Sequence, residues 1–262
     1  MKRRRVTAVA LTVAGSDSGG GAGIQADLKT FHVHGVFGTC AITCVTAQNP
    51  ARVSAVQPLN PRLVAEQMDR VFEGFPVRAG KTGMLYSAAI IESVADRFAH
   101  RKLVKLVVDP VMVASSGAVL LRKDAVTALT RGLFPLAAVV TPNVAEAEVI
   151  TQRVIRTLDD LRSAARRLAE KYGVPFLVKG GHLRGANHAV DVLFDGTRLH
   201  EYRPMMAPNI RTHGTGCTFS AAVAANLALG HGLSASIDRA KGFVTTAIQS
   251  APRVGRYRVL GI

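Results

Sequence analysis

The sequence predicts an α/β fold built on a mostly parallel central sheet with helices on both faces. Val- and Ile-rich runs alternate with helical patterns from end to end, the signature of βαβ units. The composition is 48% hydrophobic but only 5% aromatic, with 24 Gly, which suits a buried sheet joined by tight turns. At 262 residues the chain fits one domain of this class. No composition shift, Pro/Ser-rich linker or repeat divides it, so one domain is expected over residues 1–262.

In chain order, Val6–Ala14 is short, β-branched and alternating, and it enters a glycine-rich stretch as a first strand does. Gly23–His34 has helical spacing. Gly38–Thr46 is a strand on which Cys40 and Cys44 share one face and read as core thiols. Val53–Gln57 reads as an edge or flap. Helices follow at Pro61–Gly74 and Ala88–His100, then a strand at Val104–Asp109. A helix at Lys123–Gly132 precedes a strand at Ala137–Thr141, and a helix at Leu158–Tyr172 precedes a strand at Pro175–Lys179. Ala189–Phe194 and Leu199–Arg203 are short edge candidates, with Asp195-Gly196 as a hairpin turn. Helices at Cys217–Leu229 and Ser234–Ala251 close the chain.

The formal charge is +15. Such a balance raises nucleic acid, a membrane surface or a small anion as partners. The basic residues are scattered, however, with clusters only at Lys2–Arg5 and over Arg253 to Arg258. Stacking platforms are scarce, with no Trp and four Tyr. A solvated basic surface is the expectation, with no nucleic-acid partner. The basic start followed by Val6 to Ala14 imitates a signal peptide, but it is better explained as the first strand. Three cysteines complete neither a disulfide set nor a metal site, and no apolar run reaches the ~18 residues that span a membrane. A cytoplasmic protein without membrane attachment is expected.

Ligands of open α/β sheets sit at the carboxyl ends of the strands. Polar residues following strand candidates are Ser16-Asp17, Gln48-Asn49, Asp109, Asn143, Glu146 and Lys179-Gly180-Gly181. Gly21-Ala22-Gly23-Ile24-Gln25-Ala26 fits a dinucleotide fingerprint, but the next strand ends in Gln48-Asn49 without the carboxylate a ribose needs. Gly74 to Thr82 is one residue too long for a P-loop, and Lys81 belongs to a strand or its end. Thr212 to Cys217 is a Gly-x-Gly turn running into an Ala-rich helix. Amides of a first helical turn attract anions, and the helix dipole favours a phosphoryl group and lowers the pKa of a nearby thiol. An ordinary turn before a buried helix with a small apolar Cys fits those residues equally well.

Taken together, Ala14 to Phe31, Ala47-Gln48-Asn49, Lys81 to Leu85, Asp109 to Ala114, Thr141-Pro142-Asn143 with Glu146, Lys179 to His182, and Gly214 to Cys217 occur in an ordered series. This series closely resembles the bacterial hydroxymethylpyrimidine/phosphomethylpyrimidine kinases of thiamine biosynthesis, in the ribokinase-like superfamily, over nearly the whole chain. The resemblance implies a single three-layer ribokinase-like domain that uses MgATP to phosphorylate a hydroxymethylpyrimidine and then its monophosphate. It implies Cys217 as base, where most of the superfamily has Asp, and Gly214, Thr215 and Gly216 as an anion hole with the Cys217 amide. Gln48 would read the pyrimidine edge, with Gly15 and Asp27 beside it and Met84 and Val111 on the ring. Asp109 and Glu146, with Asn143 near them, would organise Mg2+, and Lys179 would face the nucleotide phosphates. A homodimer is implied as well.

Other roles stand beside these. Cys217 is either the base or a packing and polarising group, Gln48 a ligand contact or a turn residue, and Asp27 a ligand contact or a solvent-facing carboxylate. Met84 and Val111 line the substrate or belong to the core. Ser115 and Ala118 depart from the family's Ala-Lys-Ser-Gly-Asp pattern, and the tail from Val254 to Val259 replaces a Gly-rich ending. Two alternatives remain: a pyridoxal kinase of the same type, against which Gln48 argues, and a non-catalytic nucleic-acid-binding or regulatory protein on this fold.

Overall fold

The computed structural model describes residues 7–112, 123–181, 190–203 and 213–262. Sequence features at Lys2–Arg5, Val6, Val113, Ala114, Ser115, Ala118, His182, Ala189 and Thr212 lie outside the described residues.

Six strands run parallel: β1 (Val9–Asp17), β2 (Phe37–Asn49), β4 (Val77–Thr82), β5 (Lys105–Val108), β6 (Ala137–Val140) and β7 (Phe176–Lys179). Antiparallel strands complete both edges: β3 (Arg52–Pro58) beside β2, then β8 (Asp191–Phe194) and β9 (Leu199–Tyr202) beyond β7. The nine-stranded order is β3-β2-β1-β4-β5-β6-β7-β8-β9. The chain therefore leaves β1 toward one edge and returns on its other side at β4. That reversal opens a crevice at the carboxyl ends of β1 and β4.

Both sheet faces are covered. Helices α2 (Pro61–Gly74), α3 (Ala88–Ala99), α4 (Lys123–Ala128), α5 (Val144–Thr151) and α6 (Leu158–Tyr172) pack on one core with Leu106, Val108, Phe176 and Val178. Helices α1 (Gly23–Val33), α7 (Thr215–Ala228) and α8 (Leu233–Gln249) share the other with Val107, Val139 and Leu177. Neighbouring residues of one strand thus feed opposite cores, which is why these strands read as unbroken apolar runs.

The helix starts follow local chemistry. Asn60 caps α2 with Pro61 in its first turn, and Ser87 caps α3. Thr157 and Asp160 form a capping box on α6, which closes at left-handed Gly173. By contrast, α7 starts at Gly214, with φ +85° and no side-chain cap.

Several expectations need correction. Gln48 and Asn49 lie inside β2, which is extended by antiparallel pairing with β3 as far as Asn49 opposite Arg52. The helix expected at Lys123–Gly132 ends at Ala128, gives way to a π turn over Leu129–Leu133, and reaches a 3-10 turn containing Pro135. Helix α5, with eight residues, is too short to show a helical period, and β4 was legible only as the surroundings of Lys81. The tail forms an antiparallel hairpin, β10 (Arg253–Val254) with β11 (Tyr257–Arg258).

Candidate active site

The crevice is lined first by the end of β1. Its register against β2 slips between Ala14 and Ser16, which turns the Gly15 backbone out of the ladder. Gly15 has no room for a side chain: a Cβ there would lie 2.6 Å from Cys44 Sγ and 4.0 Å from Met84 Cβ. Behind it Cys44 is buried and Cys40 is only half-buried, so the pair expected in the core divides. Beyond Gly15, Asp17 organises the glycine loop. Its carboxylate accepts N–H bonds from Gly19 (2.7 Å), Gly21 (3.1 Å) and Ala22 (2.7 Å). Burial would raise its pKa, but bonds from His213, Gln48, Gly19 and Ala22 outweigh burial and hold the carboxyl well below the usual range.

Gln48 joins the same loop. The Ser18 hydroxyl donates to its carbonyl (2.7 Å) and accepts its N–H (2.8 Å). Met84 and Val111 are half-buried, neither core nor fully exposed. Val111 has φ +44°, a strained conformation for a β-branched residue. Its neighbour Met112 donates its N–H to Glu146 (3.1 Å), which ties this segment to α5.

Asp27 does not face solvent. It is fully buried and paired with Lys81, whose ammonium lies 3.0 and 2.8 Å from its two oxygens, while the Thr12 hydroxyl donates to it at 2.6 Å. Burial would lower the Lys81 pKa, but the Asp27 charge prevails and keeps the ammonium protonated. Lys81 in turn acts on Cys217 at the start of α7. There burial pushes the thiol pKa up, Lys81 pulls it down, and Asp27 and Asp109 raise it again. The net shift is upward. This corrects the expectation of a thiol acidified by its helix: desolvation outweighs the cation.

The α7 turn rests on the third group. A Cβ on Gly216 would be 3.8 Å from both Asp109 Oδ2 and Lys179 Nζ. Lys179 donates to Asp109 (3.0 Å), and Ser220, one turn into α7, donates to the other oxygen (3.2 Å). Asn143 bridges to Lys179 and caps α5, accepting the Glu146 N–H at 2.9 Å, while the Asn143 N–H donates back to Glu146 (2.9 Å). Burial pushes the Glu146 pKa up to about 7, with Lys179 opposing and Asp109 reinforcing the rise.

Gly216, Cys217, Asp109, Lys179, Asn143 and Glu146 are thus linked in one cluster, and Gly15, Met84 and Gln48 border the glycine loop. Among the described residues no three His, Cys, Asp or Glu side chains cluster tightly enough to cage a metal. The donors nevertheless suit Mg2+, which takes one or two carboxylates and keeps its waters. Asp109 and Glu146 are acidic oxygen donors, and the buried hydroxyls of Thr82, Thr141 and Thr218 have no partner among the described residues. Sequence reasoning gave no role to Lys81, His213 or Ser220. Lys81 carried a signal, as a lysine following the small residues Ala79 and Gly80 inside a strand requires a counter-charge if it is buried.

A family profile described as phosphomethylpyrimidine kinase matches residues 17–260. The hydroxymethylpyrimidine/phosphomethylpyrimidine kinase of Synechococcus elongatus is 46% identical, with 95% of this chain and 94% of that protein aligned. The thiamine biosynthesis bifunctional protein ThiED of Geobacter sulfurreducens is 48% identical over 94% of this chain, which spans about half (50%) of that longer protein. Among solved structures, phosphomethylpyrimidine kinase from Clostridium difficile superposes with a TM-score of 0.82 at 41% identity, covering 92% of this chain and 99% of that one. An ADP complex of Bacillus subtilis pyridoxal kinase gives 0.87 at 38% identity, covering 96% and 95%.

Proposed function

The chain belongs to the phosphomethylpyrimidine kinase family, and from that premise we propose that it phosphorylates 4-amino-5-hydroxymethyl-2-methylpyrimidine with MgATP and then phosphorylates the monophosphate, in thiamine biosynthesis. The observation that carries this reading is the meeting of the α7 turn with the Asp109–Lys179 pair: a Cβ on Gly216 would be 3.8 Å from each of Asp109 Oδ2 and Lys179 Nζ. A phosphoryl group there would meet a helix N-terminus without a side-chain cap and a lysine ammonium.

Gln48 reads the aminopyrimidine edge, because a carboxamide offers both a donor and an acceptor. Gly15 allows a close backbone approach, and Met84 and Val111 supply apolar walls for the ring. Asp27 serves the substrate side from beneath, through Lys81. Lys179 and Asn143 face the nucleotide phosphates. Asp109 and Glu146 would hold Mg2+, which supplies charge neutralisation across the phosphate oxygens. The amides of Gly214, Thr215, Gly216 and Cys217 hold the transferring group. The hydroxymethyl oxygen bonds to phosphorus as the bond to the ADP oxygen breaks, and the hydroxyl proton passes late to the Cys217 sulfur. Because burial favours the protonated thiol, turnover rises toward alkaline pH as thiolate forms.

A pyridoxal kinase is the second reading, favoured by the likeness to the Bacillus subtilis pyridoxal kinase. Gln48 argues against it. One ribokinase-like domain over 1–262 is supported by a single nine-stranded sheet with a core on each face. Three unpaired cysteines support a cytoplasmic location, and no helix among the described residues is long and apolar enough to cross a membrane. A homodimer without nucleic acid completes the proposal. The test is MgATP-dependent transfer to hydroxymethylpyrimidine, its monophosphate and pyridoxal, each offered alone. Turnover of both pyrimidines with little on pyridoxal is expected. Turnover of the alcohol alone would limit the activity to the first step, and preference for pyridoxal would reverse the reading.

A further inference from the structure

The mechanism above leaves unused a buried carboxylate beside the crevice. Asp17 is 1% exposed, and besides its three backbone bonds its Oδ2 lies 3.0 Å from His213 Nε2. An ionised carboxylate only accepts, so Nε2 carries the proton and donates. The two residues are 196 positions apart and sit on different loops: Asp17 at the end of β1, His213 in the turn before α7. Those loops are in close contact. A Cβ on Gly21 would be 3.2 Å from His213 Cδ2, and one on Gly214 would be 1.7 Å from the Gly21 carbonyl oxygen. The rest of the glycine loop is fastened elsewhere: Lys29 donates to the Gly20 carbonyl (2.8 Å), Thr46 to the Ser16 carbonyl (2.7 Å), and Ser18 to Gln48 (2.7 Å). The Asp17–His213 bond reaches across from this loop to the turn entering α7.

We propose that Asp17 and His213 are a positioning pair that assembles the Gln48 side and the α7 amides of the site as one unit. Asp17 receives the Gly19, Gly21 and Ala22 amides of the loop that Ser18 ties to Gln48, and through His213 fixes the turn that aims the first amides of α7. Neither residue touches the reacting atoms. The consequence for turnover rests on the kinase reading above, whereas the coupling of the two loops does not.

Hydrogen exchange on the full-length protein separates the two. In His213→Ala, peptides covering residues 15–23 and 213–220 are expected to exchange together about 10- to 100-fold faster than in the parent, the scale of one hydrogen bond to a charged group. His213→Gln, which retains an N–H donor, is expected to restore most of that protection. For turnover, His213→Ala is expected to lower kcat about 10- to 100-fold. The KM for hydroxymethylpyrimidine should stay within about threefold of the parent, because Gln48 is also held by Ser18. Unchanged exchange in the β1 loop, or glutamine no better than alanine, would overturn the pair. Unchanged kcat with altered exchange would remove its role in positioning. If the parent protein phosphorylated no pyrimidine, the kinase reading would fail while the exchange result still decided the coupling.

Discussion

Lys81 and Asp27 are each 0% exposed, which sets the terms of their interaction. Taking two charges out of water costs several kcal/mol per ion, and their attraction repays this only with good geometry and satisfied lone pairs. Here the ammonium meets both carboxylate oxygens and Thr12 supplies one more bond. The pair is thus closer to neutral for stability than to a strong contribution, and its value is electrostatic: the Lys81 charge opposes the effect of burial on the Cys217 thiol. Lys81→Met strands a buried carboxylate and is expected to lower unfolding free energy by about 3–5 kcal/mol in urea titrations. Adding Asp27→Leu should recover most of that loss. A double variant as unstable as the single one would show that packing, not charge pairing, holds this position. Alkylation of Cys217 in the double variant should require higher pH than in the parent, because the cation opposing burial of the thiolate is gone.

Helix α7 shows how an element carries the site. Most of its length, Thr218 to Ala228, is buried, and its alanines let α8 and the sheet approach closely. Its first turn, Thr215 to Cys217, is half-buried and borders the site. That turn depends on Gly214, whose φ is +85° and whose Cβ would strike the Gly21 carbonyl at 1.7 Å. Gly35 is a fair control, with φ +69° and nothing within 4 Å of its Cβ. Gly35→Ala should cost only about 1–2 kcal/mol in stability and leave kcat intact. Gly214→Ala must also move one loop off the other, and kcat is expected to fall about 100-fold. Equal kinetics in the two variants would mean the α7 turn need not be held in place. The contrast also shows what was legible in the sequence. Long amphipathic helices and unbroken Val-rich strands carry their own period, so Pro61–Gly74 and Leu158–Tyr172 agree in both limits with α2 and α6. The strand-end polar residues Asp109, Asn143, Glu146 and Lys179 were legible because loop positions on this fold face one edge. Contacts between distant loops were not. His213 on Asp17 and Lys81 on Asp27 are tertiary pairings, and no local pattern distinguishes a buried Asp inside a helix from an exposed one.

Over the whole molecule the charge is unbalanced, with 33 Lys and Arg against 18 Asp and Glu. Several acidic side chains are already engaged: Glu66 and Glu73 on Arg70, Asp69 and Asp96 on Arg97, Asp159 and Glu201 on Arg162. Such surface pairs are worth little each, and salt weakens them. Cations outnumber carboxylates, and the self-repulsion of that excess disfavours the compact state. Salt therefore acts in two opposing directions, and the sign of the net effect depends on which population is larger. With a net charge of +15 the repulsion is the larger. Raising ionic strength from about 0.02 M to about 0.3 M shortens the Debye length to well under 10 Å and should quiet that repulsion. The expected result is a rise in Tm of about 2–4 °C, the shift that about 1 kcal/mol produces in a protein of this size. Inert chloride salts should suffice, since screening requires no bound anion. A fall in Tm would mean the surface ion pairs outweigh the surplus. A large rise with phosphate at equal ionic strength would instead indicate a bound anion, and the α7 turn beside Lys179 is where it would sit.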